Sequence, residues 1–132
     1  GVPCSVSLPN GLAFGQQLFI TGTPKQGATW FAVNFCAKAD VLFHFNPRFK
    51  EKAVVRNTKR RGVWETEERA SPNFPFLQGG TFDLIILCDE DGFKVAVNGQ
   101  HFLHYAHRVT PQAIDALEIN GELTLEQVHV LQ

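Results

Sequence analysis

Apolar and polar residues alternate along most of this chain, and glycine, proline and Asx-Gly pairs interrupt the alternation at short intervals. A period of two places successive side chains on opposite faces of an extended strand. The stretch DEDGFKVAVNGQHFLHYAHR, Asp89–Arg108, is the clearest case. Asp91-Gly92 and Asn98-Gly99 are tight-turn dipeptides on either side of a strand at Phe93–Val97. With FDLIILCD before it and HFLHYAH after it, they predict a three-stranded antiparallel meander. Asn120-Gly121 marks a further turn, between LEI and ELTLEQVHV. The one helical candidate is TPQAI, with Thr110 as cap and Pro111 at the first helical position, and it is long enough for a single turn.

Strands with one polar and one apolar face, in a chain of 132 residues, predict an all-β fold closed as a two-sheet sandwich. No internal repeat, low-complexity segment or linker divides the chain, so residues 1–132 are expected to form a single domain. Twelve phenylalanines supply much of the volume of one core.

HFNPRF, His44–Phe49, sets the main problem. On a strand, Phe43, Phe45 and Phe49 face one way with Pro47, while His44, Asn46 and Arg48 face the other. The next stretch, AVVRNTKRRGVWETEER, puts Val55 and Asn57 on one face of a second strand and Val54 and Arg56 on the other. After a turn at TKRRG come Trp64, Glu67 and Arg69. Two adjacent strands and the start of a third would thus pool His44, Asn46, Arg48, Asn57, Trp64, Glu67 and Arg69 on one surface. Asn donates and accepts hydrogen bonds, Arg only donates and an ionised Glu only accepts, so the set can satisfy hydroxyls of defined orientation. An Arg–Glu–Arg arrangement would hold its own geometry before a ligand arrives. Trp64 adds a flat apolar face. A pyranose asks for both, since galactose has a patch of C–H groups on one side and hydroxyls at its edges.

HFNPRF, then Val55-x-Asn57, then Trp64-x-x-Glu67-x-Arg69, resembles the carbohydrate-recognition domain of galectins. FPF at Phe74–Phe76, FKVAVNG at Phe93–Gly99 and LEINGELTLEQV near the end extend the resemblance over essentially the whole chain, most like the domains of tandem-repeat galectins. The resemblance implies a jelly-roll sandwich of two antiparallel sheets, of galectin/concanavalin type, that binds β-galactosides such as lactose or N-acetyllactosamine without metal or other cofactor. It further implies that His44, Asn46 and Arg48 contact the axial 4-hydroxyl of galactose. Asn57 and Glu67 would take the 6-hydroxyl, with Trp64 under the ring, and Arg48, Glu67 and Arg69 would reach the neighbouring sugar. Glu65 departs from the pattern, because many galectins have Gly after the Trp, and a carboxylate there would crowd the site or change its charge.

Several other features narrow the picture. The formal charge of −1 supplies no overall field toward nucleic acid or acidic membranes, and no apolar run approaches bilayer length. The opening GVPCSVSLPNGLAFG lacks the basic and apolar regions of a secretory signal, and Gly1 is read as a processed start or the edge of an excised domain. Cys4, Cys36 and Cys88 lack metal-ligand spacing and are read as reduced thiols of a cytoplasmic protein, with export by a signal-peptide-independent route left open. The partners expected are galactoside-bearing glycans of glycoproteins or glycolipids; a homodimer and a second domain in a tandem-repeat chain both stay open.

His101, His104 and His107 could suggest a metal site, but on a strand His104 points opposite to the other two, and the outer pair lie about 20 Å apart. Lys59–Arg61 is a solvated turn, or a contact for anionic groups on extended glycans. Arg56 points toward apolar company and needs a partner or a sheet edge. An enzyme on a similar sandwich, a glycosidase or a metal-dependent jelly-roll, is an alternative class. A glycosidase needs two carboxyl groups about 5 Å or more apart across the scissile bond, and Glu67 has no such second carboxylate in view. A third class is an intracellular interaction or structural domain that retains the fold.

Overall fold

The computed structural model describes residues 1–131, and they form two antiparallel sheets. In chain order the strands are β1 (Cys4–Ser7), β2 (Gln17–Pro24), β3 (Phe31–Ala37), β4 (Asp40–Arg48), β5 (Ala53–Arg60) and β6 (Val63–Trp64). They are followed by β7 (Phe82–Cys88), β8 (Gly92–Val97), β9 (Gln100–Ala106), β10 (Ala116–Gly121) and β11 (Leu123–Leu131). One sheet has the order β1-β10-β3-β4-β5-β6 and the other β11-β2-β7-β8-β9. The all-β, two-sheet expectation holds, and the predicted meander is β7-β8-β9. Pro111 opens the single turn that the sequence predicts, a 3-10 turn at Pro111–Ala113, but Thr110 before it makes no side-chain capping bond.

Alternation decides which side chains meet between the sheets. Phe31, Phe35, Phe43 and Phe45 project inward from β3 and β4 and are buried. Phe82, Phe93, Phe102 and Tyr105 meet them from the five-stranded sheet. Phe43 stacks on Phe93 at 4.8 Å and on Tyr105 at 4.7 Å, and Phe35 on Phe93 at 5.1 Å. Offset ring pairs of this kind add to the large apolar area each ring removes from water. The sheet that carries the polar face of β4 is therefore backed by an aromatic layer, which fixes the height of its outer side chains.

Turn geometry differs from the sequence reading at two places. TKRRG is not a five-residue turn: Lys59 pairs with Trp64 and Arg60 with Val63, so the hairpin loop is Arg61-Gly62 alone. Both residues take positive φ, 54° and 78°, the geometry that matches the twist of a two-residue hairpin. At Asp91-Gly92 the loop is one residue earlier, because Asp89 N–H donates to Gly92 O (2.9 Å) and Gly92 already belongs to β8. Glycine is needed there for space rather than for φ, since a Cβ would lie 2.4 Å from Tyr105 O. Asn98-Gly99 is the hairpin turn expected. Asn120-Gly121 carries the chain from one sheet to the other, since β10 and β11 do not pair.

Two β-bulges change which side chains share a face. Phe35 pairs with Phe43 but Cys36 with Val41, and on the other side Val41 pairs with Lys59 but His44 with Asn57. Leu42 is the extra residue, so Val41 and His44, three apart, both sit on the outer face. In β9, His101 pairs with Ala96 and Leu103 with Val95, leaving Phe102 extra. That corrects the histidine reading: His101 and His104 share the exposed face, and His107 lies beyond the strand. His107 Nε2 instead donates to Asp89 O at 2.7 Å, with the ring against Phe93. Among the described residues no group of three or more His, Cys, Asp or Glu side chains is placed to hold a metal ion.

Candidate functional site

β4, β5 and β6 present an open groove of about 270 Å³ on the outer face of the six-stranded sheet. Its lining is His44, Arg48, Val55, Asn57, Trp64, Glu65 and Glu67. The register explains the set. Antiparallel partners point to the same side, and His44 faces Asn57 while Asn46 faces Val55 across β4 and β5. Val55, almost fully buried, is the floor beside them.

His44 is held from both sides. Its Nδ1 lies 2.6 Å from Asn34 Oδ1 on β3, and its ring is 4.7 Å from that of Trp64. An amide oxygen only accepts, so Nδ1 carries the proton and Nε2 is left as an acceptor. Burial, reinforced by the nearby Arg48 charge, lowers the pKa of His44 from 6.5 to about 4, so the ring is neutral at physiological pH.

Asn46 does not line the groove directly. It is 6 % exposed, donates through Nδ2 to Phe31 O (2.8 Å) and accepts from Arg48 Nε at Oδ1 (2.9 Å). That bond aims Arg48 along the strand. The ion-pair order differs from the Arg–Glu–Arg arrangement expected. Glu51, in the turn after β4, lies between Arg48 (3.7 Å) and Arg69 (2.6 Å), and Arg69 Nε reaches Glu67 at 3.1 Å. Arg69 thus stands at the rim, in a chain Arg48–Glu51–Arg69–Glu67. Its members are exposed or half-exposed, so the chain's value is orientation more than stability.

Trp64 is 44 % exposed, with Lys59 Nζ 5.5 Å from the centre of its ring. Strict alternation after Trp64 would turn Glu65 away from the ring, yet it lines the groove, because the chain leaves regular strand geometry after β6. Its carboxylate bonds Arg60 Nε and lies 3.6 Å from Arg108, and the Arg60 bond in particular holds its pKa below the usual range. A general acid for glycoside cleavage needs the opposite shift. Arg60 therefore already has a partner, and Lys59 belongs to the strand rather than the turn. Arg56 finds backbone partners, donating to Val54 O and Ala70 O at 2.8 Å each, while burial lowers its pKa.

Sequence reasoning missed three contributors: Glu51, Asn34 and Arg108. Glu51 stands three residues after Arg48, a spacing that could have raised it as a partner. Asn34 and Arg108 gave no local signal. Each meets the site across strands or from the other sheet. A second indole, Trp30, pairs in register with Arg48 and is 38 % exposed.

The arrangement can orient hydroxyls: a ring-nitrogen acceptor, amide and guanidinium donors and carboxylate acceptors surround one flat apolar face. The family model described as galactoside-binding lectin matches residues 3–130. A 32 kDa beta-galactoside-binding lectin of Caenorhabditis elegans is 42% identical over 130 residues, covering 98% of this chain and 46% of the relative. Galectin-6 of Mus musculus is 39% identical, covering 97% of this chain and 44% of its own length. The chain spans about half the length of the curated relatives it matches. In three dimensions the crystal structure of the Caenorhabditis elegans galectin LEC-6 superposes with a TM-score of 0.92 at 28% identity, covering 100% of this chain and 92% of that one.

Proposed function

The chain belongs to the galactoside-binding lectin family, and from that premise we propose that it binds β-galactosides of the lactose and N-acetyllactosamine type in the groove over β4–β6, without a metal. The observation that carries this reading is the pairing of an exposed Trp64 face with a neutral His44 whose Nε2 is free to accept. A galactose ring laid on Trp64 would place its axial 4-hydroxyl toward His44, Asn46 and Arg48. Its 6-hydroxyl would meet Asn57 and Glu67, and the next sugar would lie along Arg48, Glu67 and Arg69. Binding rather than hydrolysis follows, since Glu65 and Glu67 are both occupied by arginines.

The partners proposed are glycoproteins and glycolipids bearing such glycans. A homodimer, or a second domain in a tandem-repeat chain, would make the unit bivalent and raise avidity. Residence in a reducing, cytoplasmic compartment is proposed on the three free cysteines. Burial pushes Cys36 and Cys88 up to about 11, which keeps both as protonated thiols at physiological pH.

The test is lactose titration by calorimetry and by tryptophan fluorescence. An open groove buries little of a disaccharide, so the expected Kd is roughly 10 µM to 1 mM. Because Trp30 is also exposed, the fluorescence change should survive Trp30→Phe and vanish in Trp64→Phe. Arg48→Ala should lose measurable binding while keeping its circular dichroism, since the side chain lies on the wetted face. Silence of both methods with the wild-type protein would overturn the reading.

A further inference from the structure

The segment that carries Glu65, Glu67 and Arg69 has little regular pairing of its own. After β6 ends at Trp64, its backbone touches β5 through Glu65 N–H on Thr58 O (2.9 Å) and a reciprocal pair between Arg56 and Glu68. Arg56 clamps the far end at Ala70. Arg108, which follows β9 of the other sheet, clamps the near end.

One Arg108 guanidinium serves four groups. It donates to Thr66 O at 2.8 Å, Glu68 Oε2 at 3.0 Å and Asn57 Oδ1 at 3.2 Å, and lies 3.6 Å from Glu65 Oε1. Its back rests over the Tyr105 ring at 5.0 Å. A planar fork of fixed N–H directions can do this, whereas an ammonium cannot reach all four.

The consequence falls on Asn57. Its Oδ1 accepts from Thr58 N–H (2.7 Å) and from Arg108, which uses both lone pairs. Its Nδ2 gives one hydrogen to Glu65 O (3.0 Å), and the other is left for the groove. Flipping the amide would set NH2 against two donors. We propose that Arg108 is a positioning residue for galactoside recognition: it locks Asn57 as a donor toward the ligand and holds the Glu65–Glu68 segment against β5. The inference rests on reading the groove as the galactoside site. A hydroxyl at this place must then accept from Asn57, and it can donate to the Glu67 carboxylate. Arg108 thereby selects for a ligand oxygen beside Asn57 without touching the ligand.

The test compares lactose, 6′-deoxylactose and 4′-deoxylactose by calorimetry on wild type, Arg108→Met and Arg108→Lys, with thermal melts alongside. Wild type should prefer lactose over the 6′-deoxy analogue by about tenfold or more, because the missing oxygen leaves a buried N–H unpaired. In Arg108→Met that preference should shrink to about threefold or less, while preference against the 4′-deoxy analogue stays within about twofold of wild type. Arg108→Lys should fall between, and it carries the test by the same criterion if the Met variant does not fold. A folded variant with both preferences unchanged overturns the proposal. So does a parallel collapse of both, which is the mark of general loosening. Absence of lactose binding by the wild type itself would remove the groove's assignment and this role together, a result distinct from either.

Discussion

His44 shows how far a side chain's chemistry is set by what surrounds it. In the unfolded chain its pKa is the ordinary 6.5; burial in the folded protein, helped by Arg48, brings it to about 4. Between those values the unfolded state binds a proton that the folded state does not, so stability is full above about pH 6.5 and is lost as pH falls through about 4. The shift corresponds to about 2 kcal/mol after allowance for partial exposure. Denaturant titrations from pH 7 to 4 should show that loss in the wild type and not in His44→Gln. Lactose affinity should hold until the ring protonates, because only the neutral Nε2 accepts a hydroxyl. An NMR midpoint for His44 near 6.5 would contradict this account. The polar residues His44, Asn46 and Arg48 can be read from alternation alone; the tautomer of His44 cannot, since Asn34 sits on another strand.

Among the elements, the β5–β6 hairpin and the segment after it shape the groove's charge. Glu65 lines the groove, yet Arg60 and Arg108 share its carboxylate. The Arg60 pair lies at the surface, so salt screens it and it contributes little on its own. Glu65→Gly should therefore change lactose affinity by less than about tenfold. The larger effect is expected on 3′-sulfolactose, since Arg60 is released for the anion, and it should fade at high salt. Calorimetry with both ligands at low and high ionic strength separates the two. A greater loss for lactose would place Glu65 in the primary contact, and equal effects on both ligands would end the electrostatic argument. The hairpin itself was visible in the sequence but placed too wide, because Arg61 was not expected to take the positive φ that lets two residues turn the chain.

Across the whole molecule, the groove depends on the aromatic layer behind it. Phe43 is fully buried and stacks on rings of the opposite sheet, while its neighbour His44 faces the groove. Phe43→Ala should cost about 3–5 kcal/mol, the sum of lost burial and an unfilled cavity. Urea unfolding would show the lowered midpoint. The part that stays folded should bind lactose within about threefold of wild type, because the deletion lies on the inner face. A near-neutral midpoint would mean that the layer collapses around the gap.

Local patterns determined the strands, the phenylalanine core and the outward set on β4 and β5, because a period of two is a property of consecutive residues. The combination of HFNPRF with Asn57, Trp64, Glu67 and Arg69 likewise points to the family by itself. Tertiary structure decided what alternation does not contain. Leu42 and Phe102 each insert one residue and change which side chains share a face. Arg56 ends on backbone carbonyls. Glu51, rather than Glu67, joins Arg48 to Arg69, since charge partners are chosen by distance in space. Arg108 reaches Asn57 from the other sheet, 51 positions along the chain, and no pattern within one strand could place it there.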